Sequence, residues 1–499
     1  MLTENTFTMT SAMSQSLHTS PLRLVAVNTI LLSGSMFLTK LMVAGISITM
    51  ARKLGPEVFG AYETALGLTY ALVLYVNLGM NGAIVRSASD SHQDTNSFLG
   101  TALLLKMGLA VLIYPLAILI VRIFGYAPLI VQLVGIMSIF SAITVFELTL
   151  STVFQARQRI VWLAVTRVLS VAVYACVALT ILYSTMSIWQ LAWARSAGAL
   201  IAVACLWIFI KKFRFAQPRF RLHFVRPLLL SSFPFALAQM ITTWRLKIDI
   251  LLVTALTDEC QAGIFSASGR VLGLLLLLPV AFSYALTPAA FETGRKTMQA
   301  LAQLYRRSVF ISMIIGIPIA AGMFFIAEPF MEFVFGAEYA PRLLPLMPLS
   351  WCLPCILLSI IAMNTLWGAG RMYTVPLFFG MGMMVNVAVD LLLIPNYGAW
   401  GAALGVLIGQ LVTVIAALIL VRFTLFRIGI VSLLWVPILS SAVMMAALYV
   451  FRGLLHSLPG LFLIDVALGA AIYMLVLLSL GKVTGLSKKS FWPRVKQLK

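Results

Sequence analysis

Charge is scarce in this 499-residue chain, and acid is scarcest. Only 10% of residues are charged, with 15 Asp and Glu against 35 Lys and Arg. A soluble domain carries about a quarter charged residues, so neither one large soluble fold nor a disordered chain fits a sequence that is 62% hydrophobic. The five cysteines (Cys176, Cys205, Cys260, Cys352 and Cys355) are too few and too scattered for a disulfide framework. Cys352 and Cys355 have the spacing of a redox pair without the strand–helix setting such a pair needs, and read as small apolar filler. His18, His92, His223 and His456 lie in a tail or in loops with no metal-ligand spacing. There is no phosphate-binding Walker A sequence and no Ser/His/Asp grouping. These absences exclude ATP hydrolysis and point away from an enzyme, a metal or any cofactor.

What is present is apolar sequence in blocks. A spanning helix needs about 20 apolar residues, and fourteen blocks qualify: 24–50, 62–84, 99–120, 129–149, 161–183, 188–210, 228–256, 263–286, 309–335, 344–366, 373–394, 401–421, 431–450 and 461–480. The expectation is an all-α polytopic membrane protein. Its net charge of +20 falls between the blocks, where Lys and Arg orient helices in a bilayer rather than bind nucleic acid. With the N-terminus inside, alternate loops divide these cations twenty-three to five in favour of the cytoplasm. Both termini are therefore expected inside.

The organisation expected is a tail at 1–20, a six-helix lobe at 21–210, a cytoplasmic connector at 211–227, a second six-helix lobe at 228–424, two further helices at 425–481 and a basic tail at 482–499. The 1–20 tail is rich in Ser, Thr and Met and reads as disordered. An echo supports the division into sixes: Gly60-Ala61-Tyr62 opens the second block and Gly263-Ile264-Phe265 the eighth. Parallel repeats of this kind build transporters with the substrate between the halves. The segment Glu292 to Ser308 sets Leu301, Leu304 and Tyr305 on one helical face among Arg295, Lys296, Arg306 and Arg307. It and the basic tail read as helices lying on anionic lipid.

Seven cations remain inside the spans: Lys40, Lys106, Arg167, Arg195, Arg245, Lys247 and Arg270. Each costs about 2.5–3.5 kcal/mol at a helix centre, so seven facing lipid would cost on the order of 20 kcal/mol. They must face water, partners or substrate. Inner acids are fewer, namely Glu63, Glu147, Asp249 and Asp390, so a shared cavity would be electropositive and would concentrate anions. Lys106, Arg167 and Arg195 lie six or seven residues from a helix end, so each can snorkel to an interface or make a structural pair. The anion site is therefore expected at Lys40, Arg245, Lys247 and Arg270. Arg245 and Asp249, four residues apart, can pair on one helix face. Asp249 and Asp390 are candidates either for such pairing or for coupling to a cation.

The stretch Ala51-Arg52-Lys53-Leu54-Gly55-Pro56-Glu57-Val58-Phe59-Gly60-Ala61-Tyr62, with Asn77-Leu78-Gly79-Met80 and Gly82-Ala83-Ile84-Val85-Arg86, resembles the opening of bacterial polysaccharide transporters. These are the O-antigen and exopolysaccharide flippases of the multidrug/oligosaccharidyl-lipid/polysaccharide exporter superfamily. Leu393-Ile394-Pro395-Asn396-Tyr397-Gly398-Ala399-Trp400-Gly401 resembles that family's turn before its twelfth helix, and Ala262-Gly263-Ile264-Phe265-Ser266-Ala267 is a looser match before the eighth. That family often has an acid where Asn77 stands here. Gly55 and Pro56 make a tight turn and Gly60 permits close helix approach, which are structural roles.

The resemblance implies two six-helix lobes forming a V, plus two C-terminal helices, in the bacterial inner membrane. It also implies a cargo of undecaprenyl-pyrophosphate-linked oligosaccharide and a polysaccharide polymerase as partner. The alternatives are a multidrug cation antiporter of the same superfamily and a peptidoglycan-precursor flippase, with a membrane polymerase or ligase further off because the loops are short.

Overall fold

The computed structural model describes residues 21–88, 95–157, 159–213, 219–341, 344–426, 431–455 and 462–483. Within them the chain forms sixteen α-helices, three short 3-10 turns and no strand. In chain order the helices are α1 (Pro21–Asn77), α2 (Met80–Ala88), α3 (Thr95–Val111), α4 (Ile113–Ile123), α5 (Pro128–Ala156), α6 (Ile160–Ser184), α7 (Ile188–Phe213) and α8 (Val225–Leu256). They continue as α9 (Glu259–Leu275), α10 (Leu277–Lys296), α11 (Met298–Phe335), α12 (Leu346–Ser350), α13 (Cys352–Gly368), α14 (Val375–Thr424), α15 (Val431–Leu455) and α16 (Phe462–Val483).

Eleven stretches are long and apolar enough to cross a membrane. Two of them, Ser33–Asn77 and Met372–Thr424, each hold two crossings joined at a glycine. The joints are Gly55 (φ 75°, ψ 170°) and Gly398 (φ 57°, ψ −135°), backbone that a residue with a Cβ rarely adopts. With the 32-residue α8, these account for the fourteen expected crossings.

The three motifs that carry the family resemblance meet at one place. Asp258 caps α9, its carboxylate accepting the Gln261 N–H at 2.7 Å. The Gln261 side-chain oxygen in turn accepts the Ala399 N–H at 3.0 Å, docking the Gly398 turn onto the same helix start. On the other side α1 crosses α9 with backbones touching. A Cβ at Gly60 would sit 1.8 Å from the Glu259 carbonyl oxygen, and one at Gly263 would sit 1.9 Å from that of Pro56. Gly60 and Gly263, which echo each other along the chain, are thus packing partners in space, as small residues at membrane helix crossings allow.

Around this crossing, apolar side chains of both lobes merge into one core, with Phe59, Tyr62, Val73 and Leu191 from the first and Ile264, Ala267, Met331 and Phe335 from the second. Hydrogen bonds reinforce it. The Tyr126 hydroxyl donates to the Leu251 carbonyl at 2.9 Å and the Tyr339 hydroxyl to the Ala51 carbonyl at 3.1 Å. The Thr64 and Thr254 hydroxyls lie 2.7 Å apart. At the opposite face the cores are separate. Leu286, Tyr305, Val309 and Phe378 belong to one, and Met80, Phe98, Phe154 and Leu206 to the other, which Leu228 of α8 joins. The lobes therefore share one core at the Gly55 end and keep distinct cores at the other, where the start of α8 bridges them, giving the V. The appended pair α15 and α16 packs on α11, where the Tyr473 hydroxyl donates to the Ile314 carbonyl at 2.8 Å.

One expectation is corrected here. The segment 292–308 does not form a helix of its own. It is the end of α10, a corner at Thr297 whose hydroxyl accepts the Ala300 N–H at 3.1 Å, and the first turns of α11. Leu301 and Tyr305 are fully buried against the chain's own helices, so their apolar face has a protein partner and needs no lipid. The tail at 1–20 and the basic tail beyond Val483 lie outside the described residues.

The crossing predicts a sharp contrast between glycines. Gly263→Val should destabilise the protein by about 1–3 kcal/mol or more, as overpacking does. Gly45→Ala, where nothing lies within 4 Å of the added carbon, should leave the thermal unfolding midpoint of the purified protein unchanged. Equal midpoints for the two variants would contradict the contact.

Candidate functional site

Within the first lobe lies a cavity of about 370 Å³, lined by Lys40 of α1, Glu147 of α5, Arg167 of α6 and Arg195 of α7, with Phe140 and Tyr174 as its aromatic wall. A second cavity of about 310 Å³ shares Thr39, Lys40, Val43 and Val171 with the first and adds Gly269, Arg270 and Gly273 of α9. Lys40 therefore stands where the two join, with first-lobe arginines on one side and a second-lobe arginine on the other.

Arg270 forms an ion pair with Glu63 of α1, a bond between the lobes. Lys247 of α8 and Arg195 also act on the Glu63 carboxylate electrostatically. The Arg195 guanidinium lies between two rings, 5.2 Å from that of Phe140 and 5.3 Å from that of Tyr174. It also acts electrostatically on Tyr62, whose hydroxyl is 3.4 Å from that of Tyr174. Its Nε is buried with no hydrogen-bond partner. Arg167 acts on Glu147. Among the described side chains the group thus holds five cations, Lys40, Arg167, Arg195, Lys247 and Arg270, against two acids, Glu63 and Glu147. The side chain of Arg245 lies outside the described residues.

Sequence reasoning placed Lys40, Lys247 and Arg270 here, and the structure brings all three to this region. It missed Arg167 and Arg195, which were set aside because they lie near helix ends. Axial depth does not say which way a side chain points, and both turn inward. The aromatic partners of Arg195 carried a signal only in hindsight, since rings are common in every span.

Two further charged groups sit apart from the chamber. Lys106 of α3 does not snorkel. It is completely buried, and its ammonium donates to Asn77 Oδ1 at 2.8 Å, Asn81 Oδ1 at 2.6 Å and Thr149 Oγ1 at 2.9 Å. Three N–H donors meet three neutral oxygens, which replace the water the ion has lost. Asn77 and Asn81 flank the break between α1 and α2, where Leu78 (φ 42°) and Gly79 (φ 69°) leave helical backbone. The lysine therefore ties both sides of that break to α3 and α5.

Asp249 of α8 and Asp390 of α14 are buried carboxyls that act on one another electrostatically. Asn386 Nδ2 donates to Asp390 Oδ2 at 3.0 Å. A Cβ at Gly405 would fall 1.8 Å from Asp390 Oδ1, so this glycine makes the room for the carboxyl. Among the described residues no three His, Cys, Asp or Glu side chains gather as a metal site would need.

Comparison with known proteins agrees with this architecture. Residues 49–343 match the profile of a family described as polysaccharide biosynthesis protein. The chain belongs to that family. It is 24% identical over 385 residues to the capsular polysaccharide biosynthesis protein CapF of Staphylococcus aureus, covering 74% of this chain and 92% of that protein. It is 26% identical over 300 residues to the succinoglycan biosynthesis transport protein ExoT of Rhizobium meliloti, covering 58% of each. The solved structure of the lipid II flippase MurJ in an inward-closed conformation superposes with a TM-score of 0.76 at 16% identity, covering 91% of this chain and 99% of that one. That likeness shows a shared fold.

The lysine cage generates a prediction. Lys106→Met keeps the length and removes every donor, stranding buried acceptors at a cost of about 1–3 kcal/mol. The thermal midpoint of the purified protein should fall. An unchanged or higher midpoint would mean that the cage adds nothing to stability.

Proposed function

We propose that the chain is a flippase that carries an undecaprenyl-pyrophosphate-linked oligosaccharide from the cytoplasmic to the outer leaflet of the bacterial inner membrane by alternating access. The sign of the chamber wall carries this reading. A pyrophosphate leaving water needs compensating charge, and cations held in a water-filled cleft with low-dielectric walls focus a field that concentrates such a group. In the five cations against two acids, that compensation comes from both lobes, so a bound headgroup would touch both halves that must move. The polyprenyl chain would remain in lipid beside the V.

Membrane voltage favours the direction. An inside-negative potential assists outward movement of an anion by about 2.3 kcal/mol per charge per 100 mV. The acid pair Asp249 and Asp390 is the site we propose for coupling to a cation, because two buried carboxyls on neighbouring helices together can hold a proton or another cation. A multidrug antiporter of the same superfamily would need the opposite wall, with acids in excess. A peptidoglycan-precursor flippase would use the same pyrophosphate chemistry. Rescue of cells depleted of their lipid II flippase would move the assignment to that branch.

Arg245→Ala and Arg270→Ala should each leave the protein inserted in the membrane while surface polysaccharide falls at least about tenfold, the effect of roughly 1.4 kcal/mol lost from a charge-assisted contact. The lipid-linked intermediate should accumulate on the inner leaflet. Wild-type polymer levels in both variants would remove the two arginines from transport. Asp390→Asn should slow export several-fold and abolish its dependence on an imposed ion gradient, and a retained dependence would take the pair out of coupling.

A further inference from the structure

Glu63 has no assigned role in the anion site, yet the cations of that site converge on it. Its carboxylate pairs with Arg270 of the other lobe and feels Lys247 and Arg195 as well, so cations from three further helices share one acid. The two partners are placed unequally. Arg270 leaves 27% of its side chain open to the chamber, whereas Glu63 is only 6% exposed. An anion arriving in the chamber therefore meets the guanidinium first, with the carboxylate behind it. The wall beside Arg270 is flat, because Gly269 and Gly273 have nothing within 4 Å of where a Cβ would lie. Lys40 faces the same cavity from the first lobe. The ion pair also sits toward the closed end of the V, one residue from Thr64, whose hydroxyl contacts Thr254 across the lobes.

We propose that Glu63 is a built-in stand-in for the substrate phosphate, occupying Arg270 in the empty chamber and yielding it to the cargo, so that loading releases one of the bonds that hold the closed end shut. The idea rests on the anionic cargo proposed above. Its physical content is competition, since a ligand shifts a conformational equilibrium only through differential affinity for the two states. Here the closed end and the cargo need the same guanidinium. A pyrophosphate brings more charge and more acceptor oxygens than one carboxylate, and Arg binds phosphate in a bidentate fork. Once displaced, Glu63 still has Lys247 and Arg195 as partners, so its release does not strand a buried charge.

The test uses the purified full chain in lipid nanodiscs, with inorganic pyrophosphate as probe, and Thr64→Cys in a background lacking the five native cysteines as reporter of the closed end. Pyrophosphate should speed labelling of that cysteine by a polar maleimide several-fold in the otherwise wild-type chain. Glu63→Gln should bind pyrophosphate at least about tenfold more tightly and label quickly without it. Glu63→Asp, which keeps the charge, should behave as wild type. If wild type binds the probe but labelling does not respond to it, or if Glu63→Gln binds it no more tightly, the stand-in role is overturned while the anionic chamber survives. If neither protein binds pyrophosphate, both readings fall together. The wild-type labelling arm decides the matter even if Glu63→Gln does not fold.

Discussion

A charge inside a bilayer must be satisfied by the protein that carries it, and most of this structure's polar architecture follows from that constraint. The chain meets it in three ways. Lys106 is surrounded by neutral oxygens that replace its hydration shell. Asp390 is held by Asn386 beside a second buried carboxyl, Asp249. Arg270 is matched by a carboxylate from the opposite lobe. Lys40, Arg167 and Arg195 line the chamber instead. The first two groups are closed and tie helices together, whereas the chamber group is in cationic excess and open to a visitor. This division separates structural charge from charge available for work.

The frame that holds these groups depends on bare backbone. The α1 and α9 crossing brings Gly60 and Gly263 against the carbonyls of Glu259 and Pro56, and the Gly398 turn is fastened to Gln261 on the same helix start. Both lobes are therefore pinned at one end of the membrane, close to Glu63 and Arg270, while their cores separate toward the other end. A V joined at a small polar hub can change the accessible side by rearranging few contacts, because packed interfaces tend to hold discrete arrangements rather than deform continuously.

Much of the fold is legible in the sequence, because apolar length alone marks a spanning helix and Gly-Pro marks its turn. Fourteen crossings and the bend at Gly55 were readable in this way, and the Gly398 bend through the family resemblance of its stretch. The site was only half legible. Lys40, Lys247 and Arg270 stand out by depth, but Arg167 and Arg195 needed helix rotation, which a nearly uniform apolar span does not encode. The surroundings of Lys106 and of the 292–308 segment were hidden for a related reason. Each was judged by its own helix, and each is completed by groups distant in sequence: Asn77, Asn81 and Thr149 for the lysine, and neighbouring helices of the second lobe for Leu301 and Tyr305.

The sign of the cargo is the claim on which the functional account stands, and reconstituted transport tests it most directly. Purified protein in proteoliposomes, under an imposed voltage, should move a fluorescent undecaprenyl-pyrophosphate oligosaccharide across the bilayer, faster when the potential pulls the anion, and should leave an organic cation such as ethidium untransported. Movement of ethidium without movement of the pyrophosphate-linked glycan would contradict the account.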